Sequence, residues 1–157
     1  MGYDARAVPD PESHHSAPTE LLPHRPPFLF IDEILELIPG ESATARWYVD
    51  PEAHFFAGHF PGNPILPGVI IIEALAQTGA LAAMAEPGSA GKLALFAGIE
   101  NARFRRVVLP GDTLTFQTRL TRRRGPLGAG EGTAHVGEEL ACQAGLKFAL
   151  VDAEGGA

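Results

Sequence analysis

The chain carries two titratable side chains, fourteen positions apart, whose types suit proton transfer: His59 in a Pro/Gly-rich loop and Glu73 in the apolar run that follows it. Both lie in the stretch Gly58 to Ala85, GHFPGNPILPGVIIIEALAQTGALAAMA. An imidazole with an ordinary pKa of ~6.5 is largely unprotonated near neutral pH and can take a proton. A carboxyl in apolar surroundings has its pKa raised and can hold a proton to give away. The pair therefore suits removal of a proton next to a carbonyl together with protonation of a departing hydroxyl, each group being worth ~10²–10⁴-fold. Charge developing on the carbonyl oxygen needs N–H donors. The free amides at the start of a helix beginning at Gly68 and Val69 supply them, one well-aimed donor contributing ~10²–10³-fold. Gly68 would also let the backbone approach a ligand closely. Gln77 follows Glu73 by one helical turn on the same face, where its amide can hold the carboxyl. Taken singly, a loop histidine reads as readily as a surface or capping residue, and a buried glutamate as half of a structural ion pair. His54, His59 and Glu52 lack the dense ligand spacing of a zinc site, so no metal is expected, and the chemistry calls for no cofactor.

The elements that must position these residues can be read in outline. From Val69 onward the run is apolar on every side except at Glu73, Gln77 and Thr78, so as a helix it must be wrapped rather than laid on a surface. Met1 to Pro18, rich in Pro, Ala, Ser, Asp and His, reads as a disordered tail, and residues 19–157 as one domain. Thr19 is placed to cap a short helical turn through Leu22. Phe28 to Ile38 is mostly apolar, Pro39-Gly40 is a turn signal, and Ser42 to Val49 reads as the returning strand. Asp50-Pro51 looks like the cap and first residue of a short helix through Phe56. After the central helix, Leu93 to Ile99 and Ala102 to Val108 read as two strands, and Thr113 to Leu120 alternates cleanly. Gly125 to Gly132 reads as a flexible loop, Thr133 to Val136 as a short strand, and Leu140 to Val151 as the last one. One long helix with five or six strands joined by short connections predicts an α+β domain with a mostly antiparallel sheet. The sheet curls around the helix, or a second subunit covers what it leaves open.

Global properties exclude several classes. A chain of 157 residues suits one domain with a real core. Its 12 Lys+Arg against 19 Asp+Glu give a net charge of −7, which argues against a nucleic-acid partner. The single cysteine, Cys142, rules out an internal disulfide framework, suits a reducing cytoplasm, and reads as a small core residue. Ile65 to Ala85 approaches the ~20 apolar residues that span a bilayer. Pro67 and Gly68 at its start, Glu73 and Gln77 within it, and its Ala/Gly-rich second half favour a buried helix instead, so no membrane span is expected.

The segments LLPHRPPFLFIDEI, FFAGHFPGNPILPGVIIIEALAQTG and FAGIENARFRRVVLPGDTL resemble, in order, the β-hydroxyacyl-(acyl-carrier-protein) dehydratases of bacterial type II fatty acid synthesis. The likeness runs from about Leu21 to Val151, and its central GHFPxxPxxPG loop with a helical Glu and an Ala-Gln pair is highly specific. It implies a hot-dog fold, a strongly curved antiparallel sheet around a central helix. It also implies a homodimer with two shared active sites, the histidine from one subunit and the carboxylate from the other, often assembled further into three dimers. Residue by residue, it makes His59 and Glu73 catalytic and points the amides of Gly68 and Val69 at the thioester carbonyl. Together with their joint occurrence in this motif, it turns the balance for His59 and Glu73 from structure to catalysis. His24 and Arg25 match a motif that braces the entrance side of the fold. The implied partner is acyl carrier protein, an acidic protein. Two basic clusters, Arg103, Arg105 and Arg106, then Arg122, Arg123 and Arg124, read either as solvated strand ends or as its docking patch.

Departures from the pattern are few. Pro26 stands where an aromatic residue is common and Asn101 where an Asp is common, which bears on the entrance shape. Related enzymes that also isomerise the double bond usually have Asp at the position of Glu73 and Cys at that of Val69, so the resemblance is to the plain dehydratase. Two alternatives remain open: a hot-dog acyl thioesterase, which directs water at the carbonyl, and a non-catalytic acyl-binding subunit of a heteromeric dehydratase.

Overall fold

The computed structural model describes residues 16–153. Its elements are α1 (Pro18–Leu21), β1 (Glu33–Ile38), β2 (Ser42–Tyr48), α2 (Gly68–Met84), β3 (Lys92–Phe104), β4 (Thr113–Arg124), β5 (Leu127–Val136) and β6 (Glu139–Asp152), with a 3-10 turn at His54–Ala57 before α2. The six strands form one sheet in the order β1-β2-β4-β5-β6-β3, every neighbouring pair antiparallel. The strands alternate between two environments. Leu114 and Phe116 of β4 point inward and are fully buried, whereas Gln117 and Arg119 face solvent. The inward rows meet Leu75 and Leu81 of α2, both fully buried, and this contact forms the core. The expected α+β arrangement of an antiparallel sheet packed around one long helix is what the chain adopts.

The wrapping is incomplete in a way that matters for the site. Val69 is 73% exposed, and Ile70, Glu73 and Ala76 are only partly covered, so one stripe of α2 stays open. At the other end of the helix, the β1–β2 turn closes over it, with Gly40 N–H donating to the Ala82 carbonyl at 2.9 Å.

Several boundaries differ from the sequence expectations. Of the expected tail, residues 1–15 lie outside the described residues. Pro18 is already buried in α1, whose N-cap position is Ala17, and Thr19 does not cap it. Asp50 caps no α-helix; its carboxylate accepts the Glu52 N–H at 2.9 Å in a turn, and only the 3-10 turn follows. The two strands expected over 93–108 are one strand, β3. It runs through an irregularity between Glu100 and Arg103, where Asn101 takes φ 51°, a left-handed conformation that Asn tolerates. The loop expected over Gly125 to Gly132 is mostly strand: β5 begins at Leu127, paired on both sides. Its glycines occur at every second position. A Cβ at Gly132 would come within 3.0 Å of Leu75 Cδ2, and one at Gly130 within 3.0 Å of the Arg119 carbonyl oxygen. Gly132 makes room for α2 beneath the strand, and Gly130 for the backbone of β4 beside it.

Candidate active site

Glu73 sits in the second turn of α2 with its side chain 17% exposed, at the rim of a cavity. The helix contributes Ala76, Gly79, Ala80 and Ala83 to that cavity, a face of small residues at three- and four-residue spacing. Leu95, Phe96, Leu146 and Phe148 line its other side. The result is an apolar slot with a carboxyl at one end. Glu73 is therefore lodged at an opening rather than sealed in the core.

Gln77, 1% exposed, holds the carboxyl. The Phe30 N–H donates to Gln77 Oε1 at 2.9 Å, and because an N–H can only donate, this fixes which end of the amide is oxygen. Gln77 Nε2 then donates to the Phe28 carbonyl at 3.3 Å and to Glu73 Oε1 at 3.1 Å. Glu73 Oε1 is thus an acceptor, and the proton of a neutral Glu73 belongs on Oε2. The one-turn relation between Glu73 and Gln77 expected from the sequence is realised as this hydrogen bond.

His24, expected only to brace the entrance side of the fold, stands beside the carboxyl. Its Nε2 lies 3.6 Å from Glu73 Oε1, and it lines the same cavity. Burial pushes its pKa below the ordinary 6.5, with the Glu73 carboxylate opposing that shift and the Arg25 charge adding to it. Its Nδ1 is buried with no hydrogen-bond partner. The motif around it was visible in the sequence, but only folding brings it beside α2.

His59 is held in a tight loop. Its N–H donates to the Phe55 carbonyl at 3.1 Å, and its own carbonyl accepts from the Ile65 N–H at 2.9 Å. Nδ1 lies 2.8 Å from the Ile65 carbonyl oxygen. A carbonyl only accepts, so the proton is on Nδ1 and Nε2 is left as a free lone pair, the form a general base requires. The ring stacks on Phe60, with centroids 4.0 Å apart. His59 is not among the residues lining the cavity at Glu73, so within one chain these two residues do not share a pocket.

α2 starts at Gly68 after Pro67, and no side chain caps that end. Phe104, at the end of β3, covers it: a Cβ on Gly68 would lie 2.7 Å from Phe104 Cε1. The two arginine clusters stand apart. Arg103, Arg105 and Arg106 adjoin Phe104 near the start of α2, with Arg106 paired to Asp112 and Glu139 at 2.9 Å each. Arg123 pairs with Glu86 at 2.9 Å, just beyond the far end of a 17-residue helix, which spans ~25 Å. Cys142 is fully buried, and burial pushes its thiol up to about 11, so it is an inert core residue. Among the described residues, no helix is long and apolar enough to cross a membrane, and no group of three or more His, Cys, Asp or Glu could hold a metal ion.

Comparison with known proteins places the chain in a family. Residues 22–145 match the model of a FabA-like domain. The chain is 56% identical over 132 residues, covering 84% of itself and 92% of the relative, to a 3-hydroxyacyl-[acyl-carrier-protein] dehydratase FabZ of Chloroflexus aggregans. It is 55% identical over 134 residues, 85% of itself and 94% of the relative, to that of Symbiobacterium thermophilum. Among solved structures it resembles a chain of the dehydratase heterocomplex ApeI:P from Xenorhabdus doucetiae, with a TM-score of 0.74 and 18% identity over 88% of this chain and 93% of that one. The fluoroacetyl-CoA thioesterase FlK resembles it with a TM-score of 0.62 and 18% identity over 76% and 91% of the two chains. At such identities these structures speak for the fold alone.

Proposed function

The chain belongs to the FabA-like family, and on that premise we propose that it is a hydro-lyase. It removes water from (3R)-hydroxyacyl groups on acyl carrier protein to give the trans-2-enoyl thioester in fatty acid elongation. The observation that carries this reading is the Glu73 carboxyl at the end of an apolar slot, its Oε1 held by an amide that can only donate to it. The slot's apolar lining suits an acyl chain, whose β-hydroxyl then meets the free Oε2.

In this mechanism Nε2 of His59 takes the proton α to the thioester carbonyl. The electrons of that C–H bond form the double bond as the β-carbon–oxygen bond breaks, and Glu73 Oε2 protonates the leaving oxygen, which departs as water. The amides of Gly68 and Val69 hold the thioester oxygen while it carries charge, a role open to them because no side chain caps the helix. The cycle leaves His59 protonated and Glu73 ionised, and proton exchange with solvent restores both.

The site is completed by a second copy of the chain, in a homodimer whose partner provides the histidine. Three features support this: His59 stands outside the Glu73 cavity, one stripe of α2 is open, and the outermost strand β3 has exposed Leu95, Phe96 and Ile99 along a free edge. Assembly of three dimers rests on the family resemblance. Acyl carrier protein docks beside Phe104, where Arg103 and Arg105 are exposed and near the start of α2. Arg122, Arg123 and Arg124 are too distant to belong to the same patch. The cytoplasm is the setting that the single reduced cysteine suits.

The test is hydration of a crotonyl thioester on carrier protein, followed by ultraviolet absorbance. His59→Ala and Glu73→Gln should each lose at least ~10²-fold in kcat with the fold intact by circular dichroism. Wild-type rates in both variants would sink the assignment, and release of free thiol would favour the thioesterase.

A further inference from the structure

Three polar side chains converge at the rim of the slot, and the proposed reaction uses only one of them directly. Glu73 Oε1 receives the Gln77 amide at 3.1 Å and has His24 Nε2 at 3.6 Å, while neither residue engages Oε2. His24 reaches this position on the segment between α1 and β1, which is tied down on both sides. Arg25 Nη1 donates to the carbonyls of Leu22 and His24 at 2.8 and 2.7 Å, and its Nη2 donates to that of Thr19 at 3.2 Å. Further along, Phe28 and Phe30 hold Gln77 through their backbones. The histidine is therefore built into the same framework that orients the acid.

We infer that His24 is a positioning residue for Glu73: with Gln77 it keeps N–H donors on the Oε1 side of the carboxyl, so that the transferable proton stays on Oε2. The inference rests on the reading of Glu73 as the acid and assigns His24 no contact with the reacting atoms. The required form is neutral His24 with its proton on Nε2. Buried Nδ1 has no acceptor nearby, so a proton there would be stranded, whereas one on Nε2 faces a carboxyl oxygen. Burial favours the neutral ring.

A charged His24 would put a cation beside Glu73, and burial of the ring opposes that form. The other charged groups around His24 are Arg25 on its own segment and Lys147 of β6, which lines the same cavity and pairs with Glu100 at 2.8 Å. Both are cations, and like charge disfavours a further one on the ring.

The experiment compares wild type, His24→Ala, His24→Gln and Glu73→Gln on 3-hydroxybutyryl thioester of acyl carrier protein, with kcat and KM measured across pH. His24→Ala should lower kcat by about 10-fold with little change in KM. His24→Gln, which keeps a donor but cannot titrate, should restore kcat to within about 3-fold of wild type. A glutamine variant as impaired as the alanine one overturns the inference. Full activity in Glu73→Gln would instead remove the acid assignment on which it rests.

Discussion

Gln77 is the residue on which the site's geometry turns, because its amide is held by backbone groups that tolerate only one orientation. Gln77→Ala would leave the Phe30 N–H buried without its acceptor at 2.9 Å, a cost of about 1–3 kcal/mol. The expected outcome is a lower thermal midpoint together with a fall in kcat, measured on the same sample, since Glu73 loses its anchor. His24 makes a second prediction. Burial holds its pKa below 6.5, so the unfolded chain binds a proton more readily than the native one. Native stability is then greatest above that value and declines as the pH falls through it toward the lowered native pKa. His24→Gln should flatten this part of the decline, read from urea midpoints between about pH 5 and 7. The types and order of His59, Glu73 and Gln77 were legible from the chain alone, since a loop histidine and two polar residues one helical turn apart are local facts. The place of His24 beside Glu73 was not, because that contact joins residues far apart in the chain.

Among the elements, α2 is bounded by side chains that belong to others, and its start illustrates the point. Gly68 is needed for space: an added Cβ would meet the Phe104 ring at 2.7 Å. The ring is the far end of an exposed side chain that can swing aside, so Gly68→Ala should leave the thermal midpoint nearly unchanged. By moving Phe104 at the site it should lower kcat/KM by about 10-fold. β5 carries a related lesson about legibility. Its Gly128, Gly130 and Gly132 look like loop chemistry when each is weighed by propensity. Their period of two was the strand signal, and each makes room for a different neighbour: the Phe148 ring at Gly128, the β4 backbone at Gly130 and Leu75 of α2 at Gly132.

Sites shared between two copies of the chain, as proposed, would have a consequence that self-contained sites would not. Mixing His59→Ala and Glu73→Gln chains under exchange should recover about a quarter of wild-type activity, because half of the random dimers then hold one intact site of two. No recovery after verified exchange would show that each chain uses its own histidine. Ile99→Lys, on the exposed outer strand, should shift the molecule toward monomer in analytical ultracentrifugation and abolish activity with it.

By itself the sequence determined a wrapped helix with a glutamate in its second turn, a histidine in the preceding loop, and an antiparallel sheet around them. Each of these follows from periodicity, turn chemistry and residue type within short windows. Only the tertiary structure decided that Glu73 lies at the rim of a slot, that its Oε1 is occupied and its Oε2 free, that His24 stands beside it, and that His59 does not. Those facts depend on which distant backbone groups and strands pair, and on how much of α2 the sheet can reach around. Burial of a helix that is apolar on nearly every side demands more cover than one curved sheet gives, and the stripe left open carries the acid.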